Sequence, residues 1–129
     1  MSGLHPLIAR QIAELQETSP GANATPLPDG TTLVSLPDVP LPAGWNQDRT
    51  HVWFVVPVGY PAARPDCFFA DTGLRLAHGQ MPQNTGMQGL PGRGTPHVWF
   101  SWHLQAWDPS RDTLLTFARV ARDRLHRAQ

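Results

Sequence analysis

The sequence predicts an α+β fold in which an N-terminal helix and a C-terminal helix accompany a four-stranded antiparallel meander, the C-terminal one packed on one sheet face. Three observations carry that reading. Apolar residues recur at helical spacing near both ends, the middle holds short β-rich runs cut by proline and glycine, and a long aperiodic segment follows the third of those runs. With 129 residues, 14 of them proline and 11 glycine, the chain is expected to form one domain, 1–129, with stiffened connections.

The elements follow in order. Leu4, Leu7, Ile8, Ile12 and Leu15 fall on one helical face opposite Arg10, Gln11, Glu14 and Glu17, and Pro6 suits only a first turn. Ser19-Pro20-Gly21 ends this helix, and the residues through Gly30 read as a linker. Thr31 to Leu36 is a strand; Pro37 to Gly44 is too rich in proline to be anything but an edge or irregular segment. The strongest strand signal is Val52 to Val58. After it, Tyr60-Pro61 and Pro65 fix a corner, because proline locks φ, removes a ladder donor and pushes the preceding residue out of the helical region. Cys67 to Ala70 makes a short strand. Asp71 to Pro96 shows no periodicity and reads as one long irregular loop that a partner would order. Near the end, Leu114, Leu115, Phe117, Ala118, Ala121 and Leu125 form an apolar helical face, with Asp108 as the expected N-cap, Pro109 as the first residue and arginines gathered at the C-terminal end.

Composition narrows the function. Ten basic residues balance ten acidic ones, so the chain lacks the positive field that nucleic acid or an anionic membrane requires. No run approaches the roughly 18 apolar residues of a membrane span, and no secretion signal is evident at Met1 to Pro6. A single cysteine forbids an internal disulfide, so a cytoplasmic location is expected. Every basic residue is arginine; lysine is absent. Compositional bias accounts for this, as would a chain that must not be modified on its own ε-amines.

The stretch Tyr60-Pro61-Ala62-Ala63-Arg64-Pro65-Asp66-Cys67-Phe68-Phe69 resembles the Tyr-Pro-x-x-Pro-Pro-x-x-x-Phe signature of the ubiquitin-conjugating-enzyme (UBC) fold. A second stretch, Trp99 to Pro109, precedes the C-terminal helix as a catalytic cysteine, a leucine-containing turn and a Trp-Ser-Pro do in UBC enzymes. Here Trp107-Asp108-Pro109 is present and the cysteine is missing. Within the superfamily the chain is most similar to the bacterial branch called prokaryotic family E, with Ser101 and His103 on its Trp-Ser-x-His-like segment and Phe100 where a tryptophan would stand. The resemblance runs from about Leu41 to the C-terminus. It implies a component of a bacterial ubiquitin-like modification pathway, with a ubiquitin-like protein and an adenylating enzyme as partners and with no cofactor or metal. Two versions remain open: a transferase lacking the usual cysteine that carries the modifier covalently, and a noncatalytic module that recognises the modifier or its adenylating enzyme.

Ser101 and His103 are the candidate catalytic residues. On a strand they would share a face, and a histidine within hydrogen-bond reach can take the proton of a serine that accepts a carboxyl as an oxyester. In the plain alternative Ser101 caps a turn and His103 is satisfied by backbone groups. Cys67 is expected to pack in the core as a small hydrophobe, the rival reading being a relocated nucleophile. By the same resemblance Met81-Pro82-Gln83-Asn84 echoes a His-Pro-Asn whose asparagine stabilises an oxyanion. His78, His97 and His103 match no compact metal motif. Trp53 and Trp107 are expected between sheet and helix, and Trp45 and Trp102 on partly exposed recognition surface.

Overall fold

In a computed structural model, which describes residues 3–129, two helices pack on one face of a six-stranded antiparallel sheet. The elements in chain order are α1 (Pro6–Gln16), β1 (Asn23–Pro26), β2 (Thr32–Pro40), β3 (Arg49–Val56), β4 (Phe68–Ala70), β5 (Thr85–Gly89), β6 (Pro96–Phe100) and α2 (Leu114–Leu125), and the strands lie in the order β1-β2-β3-β4-β6-β5. The α+β class therefore holds. The four-stranded meander gains a strand at each edge: β1 out of the expected linker and β5 out of the expected loop.

Both added strands are held by main-chain pairing. β1 runs against β2 from Asn23↔Ser35 to Pro26↔Thr32, and β5 runs against β6 from Thr85↔Phe100 to Gly89↔Pro96. Neither buries a full face, so their side chains carry no alternation to read. The rest of the 71–96 segment is mostly exposed but anchored at points. Leu74 and Leu90 are fully buried, and Asn46 and Arg75 exchange hydrogen bonds at 2.9 Å, tying the chain after β4 to the turn before β3.

Period-two alternation along β3 divides the interior. Val52, Phe54 and Val56 point at the helices, where Phe54 meets Phe117 of α2 at 4.9 Å between ring centroids, while Trp53 and Val55 join Leu33, Phe69, Leu90, Leu27 and Trp99 on the opposite face. Trp53 thus packs away from the helices, contrary to expectation, since its neighbour Phe54 takes the helix side. Trp45 is buried rather than exposed, its indole N–H donating to the Leu125 carbonyl at 2.9 Å.

The C-terminal helix starts later than expected. Asp108 caps a separate turn, accepting the Ser110 N–H at 2.9 Å, and α2 begins after Thr113, whose N–H donates to the Thr116 hydroxyl at 3.0 Å. Gln11 of α1 supplies what the local sequence cannot: its side-chain oxygen accepts the Leu114 N–H at 3.0 Å and the Tyr60 hydroxyl as well. One buried amide thus joins α1, the proline corner and the start of α2.

Candidate functional site

The proline corner and the segment leaving β6 meet at the end of the sheet. Tyr60-Pro61 is a cis peptide, Ala63 N–H donates to Gly59 O at 3.1 Å, and Trp107 Nε1 donates to Pro61 O at 2.7 Å, so the corner is fixed from within and from the post-β6 segment. Two further main-chain bonds set the site. Cys67 N–H donates to Trp102 O at 3.0 Å, and Ser101 N–H donates to Asn84 O at 2.8 Å. Three stretches distant in sequence are thereby held side by side.

Here the arrangement departs from the expected strand. β6 ends at Phe100, so Ser101 and His103 lie on irregular backbone and strand alternation does not place them. They nonetheless line one pocket of about 280 Å³ with Asn84, Trp102 and Gln105. Among the described residues no hydrogen bond joins the Ser101 hydroxyl to the His103 ring. The imidazole is engaged instead by Asp66, with Nδ1 2.6 Å from Oδ1. Both side chains are more than half exposed, at 56% and 53%. In the neutral imidazole a proton on Nδ1 donated to the carboxylate leaves Nε2 with a free lone pair, the tautomer a proton acceptor requires. Asn84 reaches the pocket through a left-handed backbone, φ 59°, which asparagine tolerates better than most residues.

Cys67 also departs from expectation. It stands just before β4 rather than within it, is half-buried and belongs to neither apolar cluster. Its φ of 61° is left-handed, a conformation unusual for a residue with a β-carbon. Burial, with the neighbouring Asp66 carboxylate adding to it, pushes the thiol above its ordinary pKa. Sequence reasoning missed Asp66 as the histidine's partner, and no spacing rule would find it across 37 residues.

Trp102 is half-buried, and so partly exposed as expected. The guanidinium carbons of Arg124 and Arg127 lie 5.4 and 5.1 Å from its ring. Arg124 is itself buried, donating to the main-chain oxygens of Gln83, Arg127 and Gln129 and lying over Phe100, so α2 supports the pocket from beneath. A shallower groove of about 400 Å³ continues from Trp102 and His103 past Gln105 and Ala106 to Thr116, Val120 and Asp123 of α2.

A proline corner and a Trp-containing turn that flank a pocket, on an antiparallel sheet backed by helices, are the features of a UBC-like protein. The family described as prokaryotic E2 family E matches residues 20–128, and the chain belongs to it. No curated protein and no solved structure matches the chain. Among the described residues no helix is long and apolar enough to cross a membrane.

Proposed function

We propose that this protein is a component of a bacterial ubiquitin-like conjugation pathway, working with a ubiquitin-like protein and its adenylating enzyme, and that it receives the modifier's activated C-terminal carboxyl on Ser101. The observation that carries this reading is His103, hydrogen-bonded to Asp66, on the pocket that Ser101 shares, in a member of prokaryotic E2 family E. In the step envisaged, the Ser101 oxygen attacks the modifier's activated carbonyl carbon while His103 takes the hydroxyl proton. The bond to the activating group breaks, that group departs with the proton, and an oxyester remains. On this reading Asn84, which lines the same pocket, stabilises the oxyanion that forms between these events. Ser101 and His103 line the same pocket, and catalytic hydrogen bonds often close only once substrate is bound.

A second reading has its own observation. The Ser101 hydroxyl makes no hydrogen bond to His103 in the free protein, as suits a noncatalytic module in which pocket and groove merely hold the modifier's tail.

The two separate with purified modifier, adenylating enzyme and ATP. An oxyester survives dithiothreitol and is cleaved by hydroxylamine; it disappears in Ser101→Ala, forms roughly 10²–10⁴-fold more slowly in His103→Ala, and becomes a thiol-sensitive thioester in Ser101→Cys. An adduct that persists in Ser101→Ala removes the assignment. A dithiothreitol-sensitive adduct lost in Cys67→Ser transfers the role to Cys67, and noncovalent binding without any adduct establishes the module.

A further inference from the structure

The side of His103 away from the transfer chemistry carries a second arrangement. Asp66, Cys67 and His103 each present one donor atom, a carboxylate oxygen, a thiol sulfur and an imidazole nitrogen, and these atoms lie within 4.8 Å of one another. Two of the residues are adjacent in sequence and the third comes from the segment after β6. Their backbones are locked together by the Cys67 N–H to Trp102 O bond at 3.0 Å, one residue from His103. The donor set therefore arises from two segments whose backbones are bonded to each other.

From this convergence we infer that Asp66, Cys67 and His103 form a three-ligand site for a borderline-soft divalent cation of the zinc class. One oxygen, one nitrogen and one sulfur suit zinc or cobalt and do not suit magnesium or calcium, which take oxygen ligands and, for magnesium, octahedral geometry. Zinc binds sulfur at about 2.3 Å and nitrogen or oxygen at about 2.0–2.2 Å, so ligands around a tetrahedral ion stand roughly 3.3–3.8 Å apart. To admit the ion, Asp66 Oδ1 and His103 Nδ1, now 2.6 Å apart, have to separate by about 1 Å, and the sulfur, within 4.8 Å of both residues' donors, has to approach by up to about 1 Å. Because Asp66 and His103 are exposed, water completes the fourth position and the site is open. Binding takes one proton from the thiol and, where Nδ1 is the ligand, moves the imidazole proton to Nε2.

The inference stands apart from the transfer reading and bears on it. Were Nε2 the ligand, the ion would remove the lone pair that Ser101 would need; were Nδ1 the ligand, the ion would replace the Asp66 hydrogen bond. Either way, occupancy and acyl transfer draw on the same ring. Metal binding is measured without modifier or adenylating enzyme, so the two proposals fail independently.

The test is a cobalt titration of the chelator-treated protein. Cobalt(II) should saturate at one equivalent, with a near-ultraviolet thiolate-to-cobalt charge-transfer band and the visible bands of tetrahedral coordination, and zinc should displace it while excess magnesium does not. Cys67→Ser should abolish the charge-transfer band. His103→Ala and Asp66→Asn should each weaken binding by about tenfold or more, and Ser101→Ala, a control beside the site, should leave it unchanged. Circular dichroism confirms that each variant is folded. The proposal is overturned by absence of the band in the folded wild-type protein. It is equally overturned by a band that His103→Ala and Asp66→Asn leave at full affinity, since the thiol alone would then be capturing the ion.

Discussion

Replacing Gln11 by methionine should lower the stability of the folded protein by about 3 kcal/mol. The magnitude follows from the two donors that Gln11 satisfies. Its side-chain oxygen accepts the Leu114 N–H at 3.0 Å, in a buried bond at the start of α2, and the hydroxyl of half-buried Tyr60. Gln11 itself is only 8% exposed. Methionine keeps the volume and helix propensity, so the substitution removes acceptors without opening a cavity or weakening α1. A buried donor left unsatisfied costs about 1–3 kcal/mol. The Leu114 N–H, one of the orphan amides at a helix start, takes about 2 of this, and Tyr60, which water can partly reach, about 1. Tyr60 remains a donor across the workable pH range, because burial pushes its phenol up to about 12. The loss is a large share of the roughly 5–15 kcal/mol that holds a small domain together. Urea unfolding followed by circular dichroism measures it as a lower midpoint at unchanged slope. A loss below about 1 kcal/mol would mean that other acceptors reach both donors, and the joining role of Gln11 would be refuted.

Two further outcomes test the fold. Leu90 is fully buried against Leu33, Trp53 and Phe69, so Leu90→Ala should destabilise by about 2–4 kcal/mol; a change near zero would restore the free loop expected from the sequence. His51 stacks on Trp53 at 4.2 Å, and its ring Nε2 lies 2.5 Å from the Ser35 hydroxyl. Burial holds its pKa below the ordinary 6.5, with Arg93 and His97 acting in the same direction and Asp71 and Asp38 against it. The unfolded chain therefore binds the proton more readily, and the stability that neutral His51 contributes is complete above about pH 6.5 and falls as the pH drops through that value. Urea midpoints at about pH 7 and about pH 5 should diverge more in the wild type than in His51→Gln. Equal divergence would assign the slope to other groups.

What the sequence revealed tracks what each element buries. α1 and the apolar face of α2 were legible because Ile8, Ile12 and Leu15, and Leu114, Phe117, Ala118, Ala121 and Leu125, all turn into one core and leave a helical period behind. β3 was legible for a different reason: both of its faces are covered, which yields a nearly continuous apolar run whose sidedness cannot be read, and Trp53 was accordingly assigned to the wrong face. β1 and β5 are specified by backbone pairing with their neighbours, and Asn23 or Gly86 carries no trace of that. The start of α2 rests on Gln11, about a hundred residues away. Asp108 and Pro109 were good helix-start residues spent on an independent turn. Ser101 and His103 were found through a motif, whereas Asp66 was not, since its contact exists only once the corner and the post-β6 segment have docked.

The docking of those two segments also bears on which nucleophile the site can use. Cys67 N–H is bonded to Trp102 O and Ser101 N–H to Asn84 O, and a single imidazole, His103, shares a pocket with Ser101 and a donor cluster with Cys67. The thiol is the better nucleophile when ionised, but burial and the Asp66 carboxylate hold its proton on. Ser101 lines the pocket, and in the proposed transfer His103 serves as its base. On the reading proposed here the difference reaches the product: an oxyester on Ser101 resists the thiols that would strip a thioester, and since no lysine occurs among the 129 residues, a carboxyl held there has no neighbouring ε-amine in this chain to which it could be lost. A carrier built this way would give up reactivity for retention, and would depend on a partner to supply the acceptor.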